Sequence, residues 1–238
     1  MPKFTTLSTL VIRVQKYLSE QGILSRREAE KYIRAGKILI NGKVALIGAK
    51  IDPSKDKVKV IDEGNQSLSK ETIIINKPRG IVSSRIKSEG KTIYDLFPEY
   101  GYLHITGRLD KESEGLLLLT NDGILAKKIT GDKHEVEKEY HVSVRENVQD
   151  TQLRAMERGL RLRDGITLPS RAKRLGRREF SLTLKEGRNH QIRRMTDKVR
   201  LTITNLVRTR IGTINLGNLR GGKARKLSEK EVESLKRA

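Results

Sequence analysis

The spacing of apolar positions changes several times along the chain, and each change marks an element. Val11, Val14 and Leu18 fall at helical spacing, and Gly22 suits the end of that helix. Ser25 followed by Glu28 is a capping-box pattern that starts a second helix. Ala29, Tyr32 and Ile33 form its apolar stripe, and Gly36 can stop it. Lys37 to Ile40 then reads as a strand, Asn41-Gly42 as a tight hairpin turn and Lys43 to Leu46 as the partner strand. Asp52-Pro53 turns the chain again, and Val58 and Val60 belong to a last strand. These elements make a compact ααβ unit over residues 11–62. Residues 1–10 read as a tail, and the polar, Gly- and Ser-containing stretch 63–70 as a linker.

From residue 71 the pattern is richer in strands. Ile73 to Ile75 and Ile81 to Ser83 flank Asn76-Lys77-Pro78-Arg79-Gly80, and Tyr102 to Thr106 and Leu116 to Thr120 flank the charged stretch Gly107 to Gly115. Tyr140, Val142 and Val144 alternate strictly, which places Tyr140 on the face of two valines expected in the core. Phe180, Leu182 and Leu184 alternate in the same way. Leu153, Met156 and Leu160 mark one helix; Ile192, Met195 and Val199 mark another, with Asn189 as its cap. Leu206 to Ile211 and Thr213 to Leu216 are late strands, and a capping box at Ser228 and Glu231 starts a closing helix. Strands outnumber helices without strict alternation. The fold class is therefore α+β with a mainly antiparallel sheet over residues 71–238.

Charge narrows the function classes. Lys and Arg number 50 against 29 Asp and Glu, a net charge of +21. Such an excess repels itself unless a polyanion is the usual partner. The longest uninterrupted aliphatic runs are four residues, such as Leu116 to Leu119, against the ~20 that a spanning helix needs. No membrane partner is expected, and a cytoplasmic monomer fits. There are no cysteines, so disulfides, thiolate metal sites and cysteine nucleophiles are excluded. The four histidines, His104, His134, His141 and His190, show no metal-ligand spacing and read as polar surface or local hydrogen bonding. Aromatic residues are 4% of the chain, too few for a base-stacking platform; structured RNA, read through phosphates and shape, fits better than single strands.

Two further patterns need weighing. Arg27, Lys31 and Arg34 sit on the helix face opposite Ala29 and Ile33, with Arg26 beside them. An ordinary solvated face would look the same, but residues 11–62 carry 12 basic and 6 acidic residues, which favours RNA contact. Gly217, Gly222 and Lys223 have the spacing of a phosphate-binding loop, yet Ala224 stands where the hydroxyl should be and only fourteen residues follow. That stretch is read as a basic turn. Asp110, in the charged loop between two apolar strands, is a candidate catalytic carboxylate, although an aspartate there also simply caps or turns.

The motifs go further. Arg13 to Val44, RVQKYLSEQGILSRREAEKYIRAGKILINGKV, resembles the S4 RNA-binding domain. INKPRGIVSS from Ile75, GRLDKESEGLLLLTNDG from Gly107, EKEYHV from Glu137 and EGRNHQIRRM from Glu186 resemble the catalytic domain of the small-subunit-A type of pseudouridine synthases. Within that family, Lys111-Glu112-Ser113 and His134 look most like the F subclass of ribosomal large-subunit pseudouridine synthases. The resemblance implies isomerisation of uridine to pseudouridine with no cofactor and no metal. By position it marks Asp110 as the catalytic aspartate, Tyr140 as the tyrosine packed on the target base, Arg193 as the partner of the aspartate and Ile192 as its apolar neighbour. Lys77, Arg108, Arg188 and Arg194 are expected to join Arg26, Arg27, Lys31 and Arg34 in contacting RNA. The target would be a uridine of large-subunit ribosomal RNA; transfer RNA is the alternative substrate, and a non-catalytic S4-type assembly protein the alternative class.

Overall fold

The structure, a computed structural model, describes residues 11–21, 23–61, 70–131 and 136–238. The expectations placed on residues 1–10, Gly22, the stretch 62–69 and His134 lie outside the described residues. Two compact units are present: one holds the described residues up to Lys70 with Asp122–Ile124, the other Glu71–Asn121 and Leu125–Ala238.

The first unit has the order β1 (Ile12–Arg13), α1 (Val14–Glu20), α2 (Arg26–Arg34), β2 (Ile38–Ile40), β3 (Lys43–Val44), β4 (Lys50–Ile51) and β5 (Val58–Val60). Strands β3, β2 and β5 form an antiparallel sheet, and β1 pairs with β4. That second pairing takes Ile12 and Arg13 out of the expected helix, so α1 begins at Val14 and Val11 is left exposed. The capping box of α2 forms in both directions: Glu28 N–H donates to the Ser25 hydroxyl at 3.2 Å, and Ser25 N–H donates to the Glu28 carboxylate at 2.7 Å. Asn41 and Gly42 have φ of 51° and 80°, the left-handed pair whose twist matches a two-residue hairpin. Strand β3 stops at Val44, and Leu46 and Ile47 are exposed instead of continuing it. Val14, Leu18, Ala29, Ile33, Ile38, Ala45 and Ile51 fill the core.

The second unit contains β6 (Thr72–Lys77), α3 (Ile93–Leu96), β7 (His104–Thr106), β8 (Glu114–Thr120), α4 (Gly123–Thr130) from Leu125 on, β9 (Lys138–Val144), α5 (Asp150–Arg158), β10 (Arg161–Leu162), β11 (Gly165–Ile166), β12 (Arg171–Gly176), β13 (Glu179–Leu184), α6 (Gln191–Lys198), β14 (Ile203–Ile211), β15 (Ile214–Asn215), β16 (Ala224–Lys226) and α7 (Glu229–Arg237). Its nine-stranded sheet runs β12-β13-β9-β14-β8-β6-β16, with β15 on β14 and β7 on β8. All pairings are antiparallel except β14 with β8. The α+β reading with a mainly antiparallel sheet holds.

The parallel pairing is short, Val207 to Glu114 and Arg208 to Gly115. It joins two halves of the sheet, each with its own core. Val142, Phe180, Leu182, Met195 and Leu206 belong to one; Ile73, Ile75, Leu117 and Leu119 to another, on the face opposite Ile74, Leu116 and Leu118. Gly115 is required at the join. A Cβ there would lie 2.4 Å from the Arg208 carbonyl oxygen, and φ is +100°.

Several elements differ from expectation. Ile81 to Ser83 is not a strand and makes one bridge, Val82 to Thr92, because the Lys77 ammonium takes the Ile81 carbonyl at 2.7 Å. Helix α5 ends before Leu160 at Gly159, φ +91°, packed on Thr167. Helix α4 buries only Leu125 and Ile129, too few apolar positions to announce it. Strands β12 and β16 are edge strands made mostly of basic residues, with no alternating apolar signal.

Candidate active site

The loop from Gly107 to Ser113 connects β7 to β8 and is held mainly through its backbone. Arg208 donates through Nε to the Leu116 carbonyl and through Nη2 to the Gly107 carbonyl, both at 2.7 Å. Leu109 N–H donates to the Ser83 hydroxyl at 3.3 Å, and the Leu109 side chain is buried. Gly80 N–H donates to the Lys111 carbonyl at 2.8 Å, and the Lys77 ammonium reaches the same oxygen at 3.2 Å. Asp110, next to these anchors, turns its half-buried carboxylate into a cavity of 880 Å³.

Helix α6 supplies the cations opposite. Arg193 Nε lies 3.8 Å from Asp110 Oδ2, while Arg193 Nη2 donates to the Glu112 carbonyl at 3.1 Å and the Ser113 hydroxyl at 3.4 Å. His190 Nε2 lies 3.6 Å from the other carboxylate oxygen, Oδ1. His190, and not Asn189, is the N-cap of α6, in the left-handed conformation with φ 48°. The turn before it is fixed by buried polar groups: Gln191 donates to Glu186 at 2.7 Å and accepts from Arg188 N–H at 2.9 Å, and Arg188 Nε donates to Glu186 at 2.9 Å. The motif residues Glu186, Arg188 and Gln191 thus build the turn that aims α6 at Asp110.

Strand β9 forms a wall. Tyr140 lies on the same face as Val142 and Val144, both buried, and lines the cavity with Ile192. The structure therefore brings Asp110, Tyr140, Arg193 and Ile192 to one cavity. Of the residues expected to meet RNA, Arg26, Arg27, Lys31 and Arg34 are exposed on α2. Arg108 is exposed at the cavity. Arg194 and Arg188 are committed internally. Arg194 makes two bonds to Asp164, of 2.8 and 2.9 Å, holding that carboxyl down at about 2. Arg188 is spent on Glu186 and on the Asp164 and Ile166 carbonyls.

Lys77 is a correction. It is fully buried, and its ammonium donates to the Pro78, Ile81 and Lys111 carbonyls, so in this structure it cannot touch RNA. Burial pushes it down to about 8, partly offset by the Glu114, Asp110 and Glu112 carboxylates. It pins the Asp110 loop.

Among the cavity residues that escaped the sequence reading are Lys138, His190 and Arg208. Strand alternation held the signal for the first, since Lys138 stands two residues before Tyr140 and must share its inward face. Arg208 stands two after the apolar Leu206 on β14 in the same way. For His190 no local signal existed. Among the described residues no group of three or more His, Asp or Glu could hold a metal ion.

Known proteins resemble this chain in sequence and in fold. The RNA pseudouridylate synthase family matches residues 71–198, and the S4 domain matches residues 12–56. The ribosomal large subunit pseudouridine synthase B of Bacillus subtilis is 37% identical, covering 94% of this chain and 95% of its own. The dual-specificity RNA pseudouridine synthase RluF of Escherichia coli K12 is 37% identical, covering 94% and 78%. The ribosomal small subunit pseudouridine synthase A of Haemophilus influenzae is 34% identical, covering 94% and 99%. A crystal structure of a pseudouridylate synthase superposes with a TM-score of 0.70 at 33% identity, covering 94% and 99%. With a catalytic-domain match over more than half its length and relatives of this identity along nearly all of it, the chain belongs to the RNA pseudouridine synthase family.

Proposed function

We propose that the chain isomerises a uridine of structured ribosomal RNA, with Asp110 as the catalytic carboxylate. The observation that carries this is the convergence of Asp110, Arg193 and Tyr140 on one cavity from a loop, a helix and a strand far apart in sequence. Isomerisation breaks the N1–C1′ bond, turns the base and joins C5 to C1′; no atom is gained or lost, so no cofactor enters. A stacked base cannot reach the carboxylate, so it flips into the cavity, at a cost of a few kcal/mol. Tyr140 packs on the flipped base and Arg193 holds the carboxylate. Arg108, exposed beside Asp110, fills the gap in the stack or holds a phosphate. The unit over 11–62, joined by the 63–70 linker to the catalytic domain over 71–238, recruits RNA through Arg26, Arg27, Lys31 and Arg34. The protein works as a cytoplasmic monomer; no described helix is long and apolar enough to cross a membrane.

Ribosomal RNA is favoured because the B- and A-type relatives are named for the two ribosomal subunits. The E. coli relative is named a dual-specificity RNA pseudouridine synthase, and transfer RNA stays the alternative substrate for this chain. The test is pseudouridine mapping on ribosomal and transfer RNA incubated with the protein and with Asp110→Asn. The amide is nearly isosteric but not nucleophilic, so turnover should fall by roughly 10³-fold or more while RNA affinity stays within the wild-type range. Appreciable turnover by a clean Asp110→Asn preparation sinks the assignment.

A further inference from the structure

We propose that Lys138 and Arg208 form an anion-stabilising wall of the active cavity, taking the negative charge that leaves with the base when N1–C1′ breaks. This rests on the reading of the cavity as a uridine-isomerising centre.

Both side chains are cations inside the fold: Lys138 is 7% and Arg208 1% exposed, and both line the cavity. They flank Tyr140. Lys138 precedes it by two on β9 and shares its face, while Arg208 is its partner across β14, with the guanidinium 6.0 Å from the ring centroid. Neither has a carboxylate within 4.0 Å among the described residues, although buried cations are normally paired. Their donors are largely unspent. The Lys138 ammonium donates to the Val136 carbonyl at 3.1 Å, and Arg208 donates only to the Leu116 and Gly107 carbonyls. That leaves two lysine and three arginine N–H groups without a protein acceptor among the described residues. Two adjacent cations with spare donors, unpaired and facing a cavity, suit an occupant that becomes negative there. Burial and the neighbouring Arg208 push Lys138 down to about 8, the cost of holding it ready.

The reaction supplies such an occupant. When N1–C1′ breaks, the bonding electron pair goes with the base, whose ring oxygens share the negative charge, and C1′ becomes electron-poor beside the Asp110 carboxylate. C5 then bonds to C1′, and the C5 proton is lost as N1 gains one. Charge stays balanced without a co-reactant. Donors fixed where charge develops are worth most in a site that excludes water.

The test compares RNA carrying uridine with RNA carrying 5-fluorouridine at the target, in single turnover at saturating protein. Fluorine makes the base a better anion, so it needs less help. Lys138→Met should slow bond breaking on uridine by roughly 10²-fold with RNA affinity unchanged, and slow the fluorinated substrate distinctly less. Equal slowing on both, lost affinity without lost rate, or an unchanged rate overturns the proposal. If Lys138→Met melts, Lys138→Gln gives the same comparison.

The pH profile is a second arm. Tyr140 from its own strand, Arg208 from β14, Asp110 from the loop, His190 and Arg193 from α6 and Glu186 before α6 face the same cavity. Lys138 is charged below about 8, so kcat/KM should fall as pH rises through that value. Lys77 shares that value, so the assignment comes from Lys138→Arg, whose cation persists and should move the fall to higher pH. A profile identical to wild type counts against Lys138. If the wild type breaks no glycosidic bond, the functional reading fails. If Asp110 is needed and Lys138 is not, only this inference fails.

Discussion

At the scale of the residue, burial decides what each functional side chain can do. Tyr140 packs against both apolar clusters that meet at the cavity, so its ring is part core and part site. Truncation should therefore cost both. Tyr140→Ala should destabilise by about 1–3 kcal/mol, less than a fully buried ring because one side faces the cavity. It should also slow single turnover. Tyr140→Phe keeps the ring and should melt within about a degree or two of the wild type. Thermal melting and single-turnover rates on the same preparations separate the two effects; a wild-type rate in Tyr140→Ala would remove the ring from catalysis. Lys77 shows the opposite limit. At the end of an apolar strand it reads as a surface cation, and only the folded loop, with three carbonyls around one ammonium, makes its burial tolerable.

At the scale of the element, ends and joins matter more than lengths. The capping boxes at Ser25 and Ser228 were legible because the cap is a local pattern four residues long. The join between β8 and β14 was not, since Gly115 and Arg208 are 93 residues apart. These two places predict different phenotypes. Gly115→Ala puts a Cβ 2.4 Å from the Arg208 carbonyl, displacing the strand that carries Arg208 and the loop end beside Ser113. It should cost ~2–4 kcal/mol and abolish turnover. Ser228→Ala removes one cap of the last helix. It should cost ~1 kcal/mol and leave turnover unchanged. Denaturant melts with activity assays check both, and an active, stable Gly115→Ala would show that the join can relax.

At the scale of the whole molecule, the net charge of +21 needs a polyanion, and the exposed basic face of α2 offers one contact surface. Replacing Arg27, Lys31 and Arg34 together with Gln leaves Ala29 and Ile33 buried and the capping box intact. If each meets one phosphate, the slope of log affinity against log salt should become shallower by ~2–3. The saturating single-turnover rate should hold, because Asp110 and Arg193 belong to the other unit. Titrations at several salt concentrations, with that rate, check both halves. An unchanged slope makes the face merely solvated.

The sequence alone determined what depends on short range and on composition. It set the capping boxes at Ser25 and Ser228, the Asn41-Gly42 hairpin, the alternation that turns Tyr140 inward, the polyanion partner and the motifs that singled out Asp110, Tyr140 and Arg193. Tertiary structure alone decided what depends on distant segments meeting. It buried Lys77 among carbonyls of its own loop, turned Arg194 and Arg188 to Asp164 and Glu186, placed His190 3.6 Å from Asp110, and set Arg208 across from Tyr140. A cation on a strand looks the same in sequence whether it ends in water or in a cavity. Its surroundings come from residues tens of positions away, and those surroundings fix its solvation and its chemistry.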